Sequence, residues 1–139
     1  MIGFKWTIGI AALSIFAAFV VGQATLAHEG GDSVKAVASE KLPNVPGKSI
    51  TAIVVSYEPG GVSKAHVHSG SVLAYVLSGE IRSENSATGP AKVYKAGEAF
   101  FEPPGSKHLV SENASKTEPA SLLAIFIADD GAKLTTFDK

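Results

Sequence analysis

Cysteine is absent from all 139 residues. Disulfides are therefore excluded, and an exported chain of this kind must stand on its core, helped by a bound ion or a second subunit. A lipid-modified N-terminus is excluded as well, since no cysteine follows the apolar run near the start. The chain also lacks any run of five like charges and any basic patch with interleaved aromatics. Without them the electrostatic attraction behind non-specific nucleic-acid binding is missing, so no nucleic-acid partner is expected. Beyond the first 27 residues no sustained 3.6-residue apolar period occurs, which predicts little helix. Ser69, Ser71 and Ser78 have no base and orienting group spaced around them as a nucleophile elbow requires, which argues against a serine hydrolase.

The segment 1–27 differs from the rest: Lys5 gives a minimal positive region, Ile8 to Val21 form an apolar run of fourteen residues, and Thr25-Leu26-Ala27 offers small residues for cleavage. This reads as a secretory signal peptide, because the run is short for a spanning helix of about 20 residues and has no basic flank after it. Cleavage after Ala27 would leave a periplasmic or secreted chain of 112 residues with no membrane attachment. It would carry eleven Lys and Arg against thirteen Asp and Glu, a formal charge of −2. Its first residue would be His28, whose amine and ring together can chelate copper.

Residues 28–47 read as an extended arm, flexible at His28-Glu29-Gly30-Gly31-Asp32 and irregular at Leu42-Pro43-Asn44-Val45-Pro46-Gly47. From Lys48 to the end, one domain of short β-like runs is separated by Gly and Pro turns, the pattern of a sandwich or barrel. Two runs are apolar on both faces: Val72, Ala74 and Val76 alternate with Leu73, Tyr75 and Leu77, and Leu122, Ala124 and Phe126 with Leu123, Ile125 and Ile127. One face lines the interior; the other needs cover from the arm or from a partner subunit, and a homodimer is the favoured expectation. Tyr75, Phe100, Phe101 and Phe126 are expected in the core.

The chemistry concentrates on histidine. His66 and His68 follow a Pro-Gly-Gly turn, and His108 follows Glu-Pro-Pro-Gly. Residues at i and i+2 share one face of a strand with α-carbons roughly 6.5 to 7 Å apart, so both rings can lean toward one ion. A third ring from another strand, at bonds of about 2.0 to 2.2 Å, completes a set with open positions for water or substrate. His66, His68 and His108 are therefore the candidate ligands of a divalent metal, whether Fe, Mn, Ni, Zn or Cu.

Gly60, five residues, His66-Val67-His68, three residues, Val72, six residues and Gly79 together resemble the first motif of the cupin family. Gly97, five residues, Pro103-Pro104-Gly105, two residues and His108 resemble the second, with Asn113 one place later than the usual asparagine. The resemblance implies an all-β fold, the cupin-type double-stranded β-helix or jelly roll, preceded here by the signal peptide and arm. It also implies a metal site acting on a small-molecule substrate, as in cupin-related quercetinases and diketone or thiol dioxygenases; the alternative is a non-catalytic cupin that binds a small molecule or metal. Where the family usually has a glutamate ligand this chain has Val72. Glu80 or Glu102 can replace it only from another position, and both read more simply as solvated strand ends; Glu102 is also the one nearby carboxylate nominated as general base.

Overall fold

The computed structural model describes residues 25–27 and 30–138, so the expected signal peptide lies largely outside the described residues, as does His28. Among the described residues there are twelve strands and no helix. In chain order they are β1 (Thr25–Ala27), β2 (Asp32–Lys41), β3 (Lys48–Tyr57), β4 (Val62–Ser63), β5 (His66–His68), β6 (Ser71–Ser78), β7 (Glu80–Asn85), β8 (Gly89–Lys95), β9 (Ala99–Glu102), β10 (Lys107–Asn113), β11 (Ala120–Asp129) and β12 (Thr135–Phe137). They form two antiparallel sheets, ordered β1-β2-β3-β11-β6-β9 and β12-β5-β10-β7-β8, with β4 also paired to β10. This is the jelly roll that the cupin resemblance implies, within the sandwich or barrel class that the turn spacing suggests.

The two sheets present different chemistry to the interior. From the first come Val72, Ala74 and Val76 of β6 and Leu122, Ala124 and Phe126 of β11, all buried and joined by Tyr57 and Phe100. From the second come mostly polar side chains: Ser63, His66, His68, Ser83, Asn85, His108, Ser111 and Asn113 are all buried, with Ile81 the apolar exception in the core cluster. β7 explains how a strand can do this. Its inward residues Ile81, Ser83 and Asn85 alternate with Glu80, Arg82 and Glu84, so the strand is polar on both faces yet keeps the period of two.

Two strands were less evident in the sequence. The arm is extended, but Asp32–Lys41 is a regular strand, paired along β3 from Asp32↔Tyr57 to Lys41↔Ser49. Apart from Val34 and Val37 its small and charged residues carry little β signal of their own; backbone pairing beside the apolar β3 makes it a strand. β10 contains a bulge between His108 and Val110, where its pairing with β7 shifts by one residue. The extra residue reverses the inside-outside alternation, so His108, Ser111 and Asn113 all point inward.

The described part of the arm joins the sheet edge and leaves the outer face of the first sheet open. Tyr75 and Phe101, expected in the core, lie there with Leu73, Leu77 and Ile127, all exposed. The reason is parity: both sit one residue out of phase with the inward set of their strands, Val72, Ala74 and Val76 on β6 and Phe100 and Glu102 on β9.

Tight turns make the closure possible. Gly79, between β6 and β7, has φ +69° and a Cβ there would stand 2.6 Å from the Pro119 carbonyl oxygen, so no larger residue fits without movement. Phe126, 2% exposed, joins the core to the ring of His68 at 5.0 Å between centroids. Phe126→Ala is expected to cost roughly 3 to 5 kcal/mol, read as a lowered urea midpoint with unchanged slope.

Candidate metal centre

β5 and β10 are neighbours in the second sheet, and their register sets His108 directly opposite His66, with His68 two residues along on the same face. The Pro-Pro-Gly turn is tied to this pair: Gly105 N–H donates to the His68 carbonyl at 2.8 Å, and β10 starts two residues later. The three rings therefore converge, all buried, with one ligand nitrogen from each lying within 4.8 Å of the others. The structure thus brings together all three sequence candidates.

The far side of each ring is held. His66 Nδ1 lies 2.6 Å from the Lys64 carbonyl oxygen, which can only accept, so Nδ1 carries the proton and Nε2 presents its lone pair. His68 Nδ1 faces the Leu134 carbonyl at 3.3 Å and Thr135 Oγ1 at 3.1 Å, which fixes the same tautomer. Burial lowers the His66 pKa to about 4, against the upward pull of the Lys64 carbonyl and with further lowering by His68 and His108. Burial lowers that of His68 too, partly opposed by Glu102. Both rings are then neutral at pH 7. Their Nε2 atoms stand 3.1 Å apart, two lone pairs facing each other. Two nitrogens bound at about 2.1 Å to one cation, roughly at right angles, have this separation. The donor set therefore fits a divalent ion, and a cation relieves the repulsion.

Glu102 corrects the reading of a solvated strand end. It is 3% exposed, because β9 pairs with β6 in the register Val72↔Glu102 and both side chains point inward. Its Oε2 is 3.0 Å from His108 Nδ1 and 4.0 Å from His68 Nε2, and accepts a hydrogen bond from Asn85 Nδ2 at 3.2 Å. Burial pushes the Glu102 carboxyl up, but His108, with help from His68 and His66, outweighs it and holds the group below the ordinary value. Glu80, by contrast, is the solvated strand end expected, facing Lys95 at 3.8 Å.

Sequence reasoning missed Ser83, whose Oγ is 2.9 Å from His108 Nε2, and Asn85. Their signal was the polar inward face of β7. It also missed a second polar cluster: Tyr57 Oη is 2.7 Å from Ser111 Oγ and 3.1 Å from Ser63 Oγ, and Ser63 donates to Asp32 at 2.5 Å. Burial raises the Tyr57 pKa, against the Ser111 and Ser63 hydrogen bonds, so the hydroxyl stays protonated. Asn113 has a structural role, donating to the Glu58 and Glu118 carbonyls at 3.0 and 2.7 Å. One cavity of about 70 Å³ touches both the histidines and the Tyr57 cluster; Val72, Ala74, Leu122 and Phe126 supply its apolar wall, and among the described residues no Lys or Arg lines it.

A sequence profile described as "Cupin domain" matches residues 53–126. The chain is 30% identical over 126 residues to the germin-like protein subfamily 2 member 2 of Arabidopsis thaliana, covering 88% of this chain and 57% of that protein, so it spans little more than half of its relative. Among solved structures, an RmlC-like cupin from Shewanella frigidimarina superposes with a TM-score of 0.61 at 21% identity, covering 82% of this chain and 91% of that one. The oxalate decarboxylase of Bacillus subtilis, which has Mn(II) centres, gives 0.64 at 27% identity, covering 83% of this chain but 30% of its own.

Metal-free protein should lose stability as pH falls from about 6.5 toward 4. In that window the unfolded imidazole takes up a proton that folded His66 refuses; the stability is fully present above it and lost progressively through it. The drop from 6.5 to about 4 corresponds to roughly 3 kcal/mol. Thermal melts in chelator at pH 7 and 5 should show a smaller difference for His66→Gln than for the wild type.

Proposed function

This chain belongs to the cupin family, and on that footing we propose that it is an exported metal-dependent dioxygenase for a small uncharged molecule bearing two oxygen donors, of the β-diketone kind. The observation that carries the metal is the pair of fixed Nε2 lone pairs 3.1 Å apart on His66 and His68, with His108 closing the set. The cavity supports the substrate class. At about 70 Å³ it is far below the roughly 300 Å³ at which pockets for drug-sized ligands begin, so a flavonol is disfavoured as substrate. Asp32 and Glu102 line it and, among the described residues, no Lys or Arg does, so an anion such as a dicarboxylate would meet two carboxylates and no fixed cationic side chain. A neutral diketone has no such charge to compensate.

The residues then divide the work. When bound, the metal supplies Lewis acidity and coordination positions for substrate oxygen and dioxygen. His66, His68 and His108 hold it, and the Lys64 and Leu134 carbonyls keep the first two rings in the tautomer that can. The apolar wall orients the carbon skeleton and excludes water. The Tyr57 hydroxyl, kept protonated by burial, offers a hydrogen bond to the part of the substrate remote from the histidines. Both atoms of dioxygen end in the cleaved substrate.

The apolar outer face of the first sheet supports a homodimer. Leu73, Tyr75, Phe101 and Ile127 are exposed together on strands paired side by side, and a twofold copy of the same face would cover them.

Elemental analysis of purified, dialysed protein should find close to one equivalent of a divalent transition metal, falling toward zero in His66→Ala and His108→Ala. Fe(II)-loaded wild type should consume oxygen with a small β-diketone and not with oxalate. A folded wild type that holds no metal would instead indicate a metal-free binding cupin. Sedimentation should give a dimer that Phe101→Lys converts to monomer without loss of metal.

A further inference from the structure

We propose that Glu102 is the fourth metal ligand, a carboxylate delivered from β9 rather than a general base. The inference rests on the metal-binding reading above and deepens it. A carboxylate 3% exposed must be compensated, yet among the described residues no Lys or Arg lines this cavity, and the side-chain hydrogen bond that its Oε2 accepts comes from a neutral amide, Asn85. The Asn85 amide is itself oriented, because its Oδ1 accepts from Ala87 N–H at 2.9 Å, so Nδ2 must face the carboxylate.

The opposing atom is His108 Nδ1. It is buried and has no hydrogen-bond partner, although Oε2 lies 3.0 Å away, so the two meet at hydrogen-bonding distance without hydrogen-bonding alignment. His108 Nε2 is engaged by Ser83 at 2.9 Å. In the tautomer that donates to Ser83, Nδ1 keeps its lone pair beside Oε2, so both atoms can bind one cation. With the proton on Nδ1 the ring instead pairs with the carboxylate, the contact that keeps Glu102 ionised when no metal is bound. His66 Nε2 and His68 Nε2 likewise present two lone pairs to each other at 3.1 Å. Two donor pairs, each about 3 Å across and joined by the 4.0 Å separation of Oε2 from His68 Nε2, match four ligands around one cation. A general base would need a proton to take from the substrate and room to approach it. Glu102 instead faces the histidines.

The same carboxylate has an alternative place to stand. Val72, its cross-strand partner, is 1% exposed and points into the same cavity, so exchanging the two side chains would move the charge across one strand spacing of about 5 Å.

The test uses Co(II) and Mn(II) as probes. Affinity is measured by competition with a chelating dye, and the ligand set by the visible absorption of the Co(II)-saturated protein. Glu102→Gln keeps size and a hydrogen-bond acceptor while removing the charge. It should weaken both ions by roughly tenfold or more and change the Co(II) spectrum in position and intensity. Affinity alone does not separate a ligand from a group that merely orients His108, so the spectrum decides: an unchanged spectrum at saturation overturns the proposal. If Glu102→Gln fails to fold, E102V and the exchange E102V/V72E decide. Recovery of affinity in the exchange to within about threefold of wild type supports a ligand, and no recovery over E102V overturns it. A wild type that binds neither ion removes the metal-binding reading itself, an outcome distinct from a wild type that binds both and ignores Glu102.

Discussion

Everything at the centre of this molecule follows from where three imidazole protons are parked. Neutral histidine has one donor nitrogen and one acceptor, and a fixed carbonyl beside one nitrogen decides the character of the other. Lys64 and Leu134 make that decision for His66 and His68, and Ser83 engages His108. The oxygens come from three separate places: Lys64 two residues before β5, the lead into β12, and the interior of β7. The site is thus assembled by the second sheet as a whole. Because Leu134 and Thr135 hold His68, the pairing of β12 with β5 belongs to the site as much as the histidine strand does.

The rest of the interior can be understood as the support for this arrangement. The first sheet supplies an apolar wall whose burial lowers the His66 and His68 pKa values and keeps their lone pairs available at neutral pH. The second supplies almost all the buried polar groups, most of them hydrogen-bonded to one another or to backbone. A jelly roll with two apolar inner faces would bury more hydrophobic surface, but it would have nowhere to place a set of converging donors. The cost of burying polar groups falls mostly on the second sheet, with Asp32 of β2 and Glu102 of β9 the buried charged residues that the first contributes.

Much of this could be read from the residues. The period-two runs and the Gly and Pro turns indicated the strands, and the shared face of His66 and His68 with His108 behind Pro-Pro-Gly indicated the ligands. What could not be read depends on pairing between distant segments. Glu102 looks like a strand end until its register opposite Val72 is known, and Tyr75 and Phe101 look like core until the parity of their strands is fixed. β2 shows the same limit: its residues have little strand preference, and only its neighbour makes it one. The second polar cluster joins Asp32, Tyr57, Ser63 and Ser111 from four strands, which no linear spacing reveals.

The bulge in β10 bears on how such a chain can diverge. Because the extra residue sits between His108 and Val110, the two halves of the strand are mechanically decoupled: the half bearing His108 keeps its register with His66, while the half bearing Asn113 keeps its own with β7. A one-residue insertion or deletion at that point is absorbed locally instead of turning every later side chain inside out. The displaced Asn113 is the trace such an event would leave, since it holds the Glu58 and Glu118 carbonyls from one place further along the chain. Spacing after His108 can therefore change by one without moving the ligands, whereas a one-residue change between His66 and His68 would turn one ring to the other face of its strand.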